Sequence, residues 1–434
     1  MKREIKQKIN RKIKFIDLFA GIGGFHLALE SVAKKNNYDI ECVFVSEIDK
    51  EAKSTYSKNF NFDESKMINI RDIKNISNDV PDHDFLFAGF PCQTFSNAGK
   101  KMGFLDEIRG TLFFEIVKIL KDKKPKYILL ENVKHLVNHD NGNTWKIINK
   151  KLDELGYIIP KNPLILSPHE FGIPQERKRV FIPGVLREKT SKKDKFMDID
   201  FENNKLEIDI VNYKKQRKYI FNKFLQSKSN IDKKYLLTNN KNGEYLKMVF
   251  DAWDEFLKNV KIKNNRTLPV IWAYEFGQKY PIDKLPNWKQ KYLQDIRNVY
   301  DNNKEFIDNW IKKYNVNKWN KREQKFEWQA GKDVESIKES FIQLRQSGIR
   351  CKRPIKFPTL VAMVQIPLIF DYRILEWRYL TPRETANLQS FPKKFKMFNE
   401  IKENNNDFYS YKQFGNSVNI EIVKMIQEYM LKKY

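Results

Sequence analysis

The residue whose setting most suggests chemistry is Cys92, in the stretch DFLFAGFPCQTFS from Asp84 to Ser96. Phe85 to Ala88 is an apolar run too short for a helix, and it predicts a buried strand. Gly89 ends the run, and Phe90-Pro91 stiffens the chain just before the cysteine. A lone thiol on a tight turn at the carboxyl end of a strand stands where open α/β sheets place their chemistry. As a thiolate it is a nucleophile. Glu131-Asn132 ends a second apolar run, Lys126 to Leu130, and reaches the same edge of the sheet. A carboxylate at a buried strand tip is costly unless something binds it, so Glu131 reads as a general acid or hydrogen-bonding group. In FGIPQERKRVFI, Phe171 to Ile182, Arg177 and Arg179 lie two residues apart and are expected on one face of a strand. Flanked by Val180, Phe181 and Ile182, they suit recognition of a planar polar group.

These groups need a scaffold, and the amino-terminal part supplies its opening unit. Lys14 to Phe19 predicts a strand, AGIGG (Ala20 to Gly24) a glycine-rich turn, and the residues from Phe25 an amphipathic helix. Strand, glycine turn and helix begin a nucleotide-binding α/β domain. His26 occupies the place of the third glycine in the dinucleotide fingerprint, which disfavours an NAD-dependent dehydrogenase. A second strand, Cys42 to Ser46, delivers Glu47, suited to a ribose diol; Asp72 in NIRDI could meet an adenine amino group. Helices are expected over Arg109 to Lys121, Asn143 to Leu155 and about Ile420 to Leu431.

Composition narrows the partners. The 434 residues allow two or three domains, and 81 Lys+Arg against 55 Asp+Glu give a net charge of +26. Such a charge favours a polyanion, most commonly nucleic acid. No apolar run is long enough to span a bilayer, and the basic amino terminus lacks a signal peptide's apolar segment. Three cysteines (Cys42, Cys92, Cys351) and no export signal point to a reducing cytoplasm, and the scattered histidines and cysteines to no metal site.

Taken together, these residues resemble the DNA (cytosine-5)-methyltransferases. FIDLFAGIGG is similar to the family's first motif, FPCQTFS to its catalytic motif, ENV (Glu131 to Val133) to its third catalytic element, and QERKR (Gln175 to Arg179) to its arginine motif. RYLTPRE (Arg378 to Glu384) and YKQFGNSV (Tyr411 to Val418) resemble the last two, in the family's usual order. Two positions depart: Arg71 stands where glycine is frequent, and Ile48 where an aromatic residue is.

The resemblance implies an α/β fold: a Rossmann-like S-adenosylmethionine-dependent methyltransferase domain with a second, smaller DNA-recognition domain. It implies a catalytic and cofactor-binding domain over 1–185, a target recognition domain over 186–375, a return segment over 376–413 and a carboxyl-terminal helix packing back over 414–434. Cys92 is then the nucleophile toward carbon 6 of a flipped-out cytosine, with Glu131, Asn132, Arg177 and Arg179 completing the catalytic set. Phe19, Gly21, Ile22, Gly23, Gly24, Glu47, Ile48, Asp72, Ile73, Pro91, Leu112 and Asn416 would hold S-adenosylmethionine. The loop from Gln93 to Leu112 would close on double-stranded DNA through Gln93, Ser96, Lys100 and Arg109. In the motif-free segment, Lys214, Lys215, Arg217 and Lys218 in YKKQRKY would contact DNA phosphates. The expected state is a cytoplasmic monomer, with a cognate restriction endonuclease acting separately. An RNA cytosine methyltransferase and a catalytically silent DNA-binding homologue are the alternatives.

Overall fold

The computed structural model describes residues 12–91, 112–190, 212–262, 267–360, 365–403 and 406–434. The chain forms two compact units. Met1–Ile173, Arg177–Glu207 and Leu388–Tyr434 make the first; Pro174–Glu176 and Ile208–Asn387 make the second.

The first unit is built on a seven-stranded sheet. Its strands are β1 (Lys12–Leu18), β2 (Asp39–Ser46), β3 (Phe85–Gly89), β4 (Tyr127–Val133), β5 (Tyr157–Ile158), β6 (Leu164–Leu166) and β7 (Arg179–Leu186). They run in the order β2-β1-β3-β4-β7-β5, with β6 pairing to β7. β1 to β4 are mutually parallel and β7 is antiparallel to β4. Phe85, Leu86, Phe87 and Ala88 are fully buried, as expected of a parallel strand covered on both faces. The covering helices are α1 (Gly24–Asn36), α2 (Lys50–Phe60), α3 (Leu112–Lys123) and α4 (Asn143–Glu154). Asp49 caps α2 by accepting from Ala52 N at 2.9 Å. The carboxyl-terminal helix Ile420–Lys433 lies against α1, where Gln427 Nε2 donates to Phe25 O at 3.2 Å and Lys35 pairs with Glu428 at 2.6 Å.

Two expectations shift. The strand expected over 126–130 runs on to Val133 because its pairing with β7 continues to Val133↔Arg179, so Glu131 and Asn132 belong to β4 itself. β7 starts only at Arg179, so Arg177 precedes the strand and does not share its face.

The second unit carries α5 (Tyr213–Lys223), α6 (Gly243–Asn259), β8 (Ile271–Trp272), α7 (Asn287–Asn302), α8 (Lys304–Tyr314), β9 (Lys325–Gln329), β10 (Phe341–Arg345), β11 (Gly348–Lys352), β12 (Leu368–Asp371) and β13 (Glu376–Tyr379). Its sheet runs β13-β12-β10-β11-β9-β8. Trp253 of α6 stacks on Phe326 of β9 with ring centres 4.6 Å apart, and Trp310 of α8 joins the same core. Burying such rings on one face of the sheet is a large apolar contribution. Glu376–Tyr379 is an edge strand here, and the buried Arg378 guanidinium forks onto Glu384 (2.8 Å) and meets Asp371 (2.9 Å). The return to the first unit therefore begins at Leu388 and not at 376. Among the described residues no helix is long and apolar enough to cross a membrane.

Candidate active site

The glycine turn after β1 is shaped by close packing. Phe19 and Gly21 both take φ 55° and Gly23 takes φ 82°, left-handed values that tighten the chain between β1 and α1. A Cβ on Gly23 would fall 2.2 Å from the Phe60 ring, and one on Gly24 2.6 Å from Val418. Only glycine lets α1 approach both neighbours. His26, in the place of the missing glycine, stacks on Phe60 at 3.9 Å, and its Nδ1 lies 2.8 Å from the Tyr56 hydroxyl. Burial pulls its pKa down to about 3, so it is a neutral packing residue.

The turn opens into a cavity of about 520 Å³ within the first unit, a volume suited to a small organic ligand. Of the expected cofactor residues, Phe19, Gly21, Ile22, Gly24, Glu47, Ile48, Pro91, Leu112 and Asn416 line it. Gly23 does not, because its packing against Phe60 turns it away. Asp72 and Ile73 are not in the lining either. They end a short 3₁₀ turn whose earlier residues, Ile70 and Arg71, face the cavity with Asn69. Glu47 accepts from Gly21 N (2.7 Å), Ile48 N (2.7 Å) and Asp49 N (2.8 Å). Its carboxylate thus uses three of about four acceptor directions on the backbone and keeps one for a ligand.

The opposite wall carries the polar groups from β4 and β7. Glu131 is 9% exposed, and Arg179 Nε lies 3.1 Å from its Oε1. Burial raises the Glu131 carboxyl pKa, and although Arg179 and then Arg177 pull it back, the net direction is upward. A raised pKa makes a carboxyl readier to take up a proton and hand it on, and its protonated form can donate a hydrogen bond. Asn132 Nδ2 donates to Phe90 O at 2.8 Å, and its Oδ1 accepts from Val133 N at 2.8 Å. Its task is to hold the backbone at Phe90, just past the end of β3 and two residues before Cys92. Arg177 donates through Nη2 to Gly415 O and Ser417 O, both at 2.8 Å. It is a bracket that pins the segment carrying Asn416 against the cavity, and burial draws its pKa down to about 9.

Cys92, Gln93, Ser96, Lys100 and Arg109 lie outside the described residues. The other two thiols are poor nucleophiles. Burial pushes Cys42 up to about 12 despite its contact with Tyr56, and burial raises Cys351 as well.

Several cavity residues escaped the sequence reading. Lys412 pairs with Asp49 at 2.7 Å, and Tyr409 and Gln413 stand beside it. Lys412 falls within YKQFGNSV, so that segment was the available signal. On α5, Lys214, Lys215 and Lys218 are exposed, but Arg217 is not a surface cation. Its Nη2 donates to Lys338 O (3.1 Å) and Phe370 O (2.8 Å), and its guanidinium lies over Phe221 and Tyr372. Arg217 fastens α5 within the second unit, which corrects its expected place among the phosphate contacts.

A profile of the C-5 cytosine-specific DNA methylase family matches residues 13–432. The Type II methyltransferase M.BanI of Aneurinibacillus aneurinilyticus is 34% identical over 450 residues, covering 96% of this chain and 95% of the relative. M.HgiCI of Herpetosiphon aurantiacus is 33% identical over 95% of this chain and 96% of its own length. M.HaeII of Haemophilus aegyptius reaches 53% identity, but over 41% of this chain and 51% of the relative. A match that spans nearly the whole chain, with the Glu131–Arg179 pair and the glycine turn on one cavity, leads to one conclusion: the chain belongs to the C-5 cytosine-specific DNA methylases and is a DNA (cytosine-5)-methyltransferase.

Proposed function

We propose that the cavity of the first unit is the methyl-transfer site, with S-adenosylmethionine as its cofactor and Cys92 as its nucleophile. The observation that carries this reading is the single cavity shared by the glycine turn with Glu47, by Phe90 and Pro91 just before Cys92, and by the Glu131–Arg179 pair. The residues fit the cofactor. A Cβ built at Gly21 meets nothing within 4 Å, so ligand can reach the backbone there, and the exposed Asn416 lines the same cavity. Glu47 has one acceptor direction left for a ribose hydroxyl, and Asp49 and Lys412 bound the same rim. When bound, the cofactor supplies an electrophilic sulfonium methyl group.

The chain's own residues act on the cytosine. Carbon 5 is too weak a nucleophile until the ring is activated. The Cys92 thiolate adds to carbon 6, and the displaced electron pair makes carbon 5 nucleophilic. Glu131 binds or protonates ring nitrogen 3 and so neutralises the charge that develops there. Arg179 holds Glu131 in place and offers its remaining donors to the carbonyl at position 2. After methylation, water takes the proton from carbon 5, the C–H electron pair reforms the ring double bond and the Cys92 thiolate leaves carbon 6. Carbon 6 is buried in a duplex, so the base must leave the stack. The names of the Type II relatives support a place in restriction–modification; in this reading the chain works as a monomer and a separate endonuclease cuts unmethylated DNA.

The test is transfer of labelled methyl groups to a DNA library, followed by mapping of the product base. The expected product is 5-methylcytosine in one short sequence context. Label on exocyclic amino groups, or on RNA alone, would sink the reading.

Glu47→Ala is expected to weaken cofactor binding by about 1.5–3 kcal/mol, the scale of a hydrogen bond to a charged group. DNA affinity measured without cofactor should not move. Calorimetry finding unchanged cofactor affinity would remove Glu47 from the site.

A further inference from the structure

The second unit's sheet has two unlike faces. Strand alternation sends Ile271, Phe326, Trp328, Ile342, Ile349 and Cys351 into the aromatic core beneath α6 and α8. The same alternation sends Trp272, Lys325, Glu327, Arg345, Arg350 and Lys352 to the other side. Registers Trp272↔Lys325 and Arg350↔Glu327 set them next to one another.

On this face Glu327 stands among Lys325, Arg345, Arg350 and Lys352, and Glu176 acts on Lys352 as a second carboxylate. Glu327 Oε1 meets Arg345 Nη2 at 2.5 Å, its Oε2 meets Arg350 Nε at 2.7 Å, and Lys325 lies 3.6 Å away. Glu327 is 7% exposed at its side chain, whereas Arg345 and Arg350 are 21% and 25% exposed. Burial raises the Glu327 carboxyl, but Arg350 and Arg345 pull it below its usual value. Lys352 is displaced the other way: burial first and Arg350 second lower its pKa, against the opposing pull of Glu176 and Glu327. Holding that much positive charge in a half-buried setting is costly without an anionic partner.

The geometry also orients the guanidinium groups. Because Glu327 takes Arg350 through Nε, neither terminal Nη of Arg350 has a recorded hydrogen bond among the described residues. Two parallel N–H donors on a planar group match O6 and N7 of guanine in the major groove. A carboxylate that locks an arginine from behind removes the rotamer entropy that base contact would otherwise cost.

We propose that this face of the six-stranded sheet reads the methylation target in double-stranded DNA, with Arg345 and Arg350 contacting base edges, Glu327 positioning them, and Lys325 and Lys352 meeting phosphates. The proposal rests on the methyltransferase reading above and adds where its sequence choice is made. It also moves recognition away from the α5 lysines, for whose exposed ammonium groups no carboxylate partner stands among the described residues.

The test uses the full chain, a random-sequence DNA library and bisulfite mapping of its products, for wild type and Arg350→Lys. Lysine keeps the charge and loses the fork. Methylation of the wild-type target should fall about 10- to 100-fold, the worth of a bidentate base contact. Preference should relax at one base position, while cofactor affinity stays as it was. Lys352→Gln leaves the Glu327 cluster intact and should reduce the salt slope of DNA binding by about one. This second variant decides the matter if Arg350→Lys lowers the unfolding midpoint. An unchanged target and rate in Arg350→Lys, or an unchanged salt slope in Lys352→Gln, overturns the proposal. A wild-type chain that methylates no DNA would instead overturn the methyltransferase reading.

Discussion

Cys92→Ser should abolish methyl transfer, by roughly 10⁴-fold or more, while cofactor and DNA binding persist. Only the covalent step is lost, because a serine hydroxyl at neutral pH is far less ionised than an activated thiol. The two other thiols cannot stand in. Burial holds Cys42 up at about 12, and Cys351 lies within the core of the second unit, its pKa also raised. Alkylation of the native chain near pH 8 should therefore modify one thiol rapidly, and Cys92→Ser should remove that reaction. DNA carrying 5-fluorocytosine should trap a stable covalent adduct with wild type, since fluorine blocks the final elimination. A Cys92→Ser protein with near-normal turnover would show that another group attacks the ring.

Glu131→Gln should lower the rate roughly 10²- to 10⁴-fold, the span typical of general acid catalysis. The amide can still donate a hydrogen bond but cannot give up a proton. The pH dependence carries the sign. Burial raises the Glu131 pKa, so the protonated form persists to higher pH than in an exposed glutamate and is lost as pH rises through the raised value. Wild type should accordingly show a limb falling with rising pH that Glu131→Gln lacks. Cofactor affinity should be retained, because Glu131 stands on the β4 wall while Glu47 stands at the end of β2. A variant whose rate keeps that limb would place the titrating acid elsewhere.

Much of the catalytic unit was legible in the residues. The apolar run Phe85 to Ala88 could only be a buried strand, and Gly89 marked its end. The run before Glu131 placed a carboxylate near a strand's carboxyl end, although the strand itself runs on to Val133. These are local consequences of apolar patterning and turn chemistry, and short strands covered on both faces leave few alternatives.

Tertiary structure decided what the polar groups do. Arg177 and Arg179 look equivalent two residues apart, yet Arg177 precedes β7 and spends its guanidinium on the carbonyls of Gly415 and Ser417. Asn132 looks like a catalytic neighbour of Glu131, but its amide holds the Phe90 carbonyl. Arg217 reads as a phosphate contact within YKKQRKY, whereas Phe221 and Tyr372 lie against its guanidinium and backbone carbonyls take its hydrogen bonds. In the second unit, the charges of Lys325, Glu327, Arg345 and Arg350 are ordinary one by one. Strand pairing assembles them into one cationic face. The physical reason is common to all of these cases: apolar burial is written in local sequence periodicity, whereas a side-chain donor is spent on whichever acceptor the folded chain brings within about 3 Å, and those acceptors lie far away in sequence.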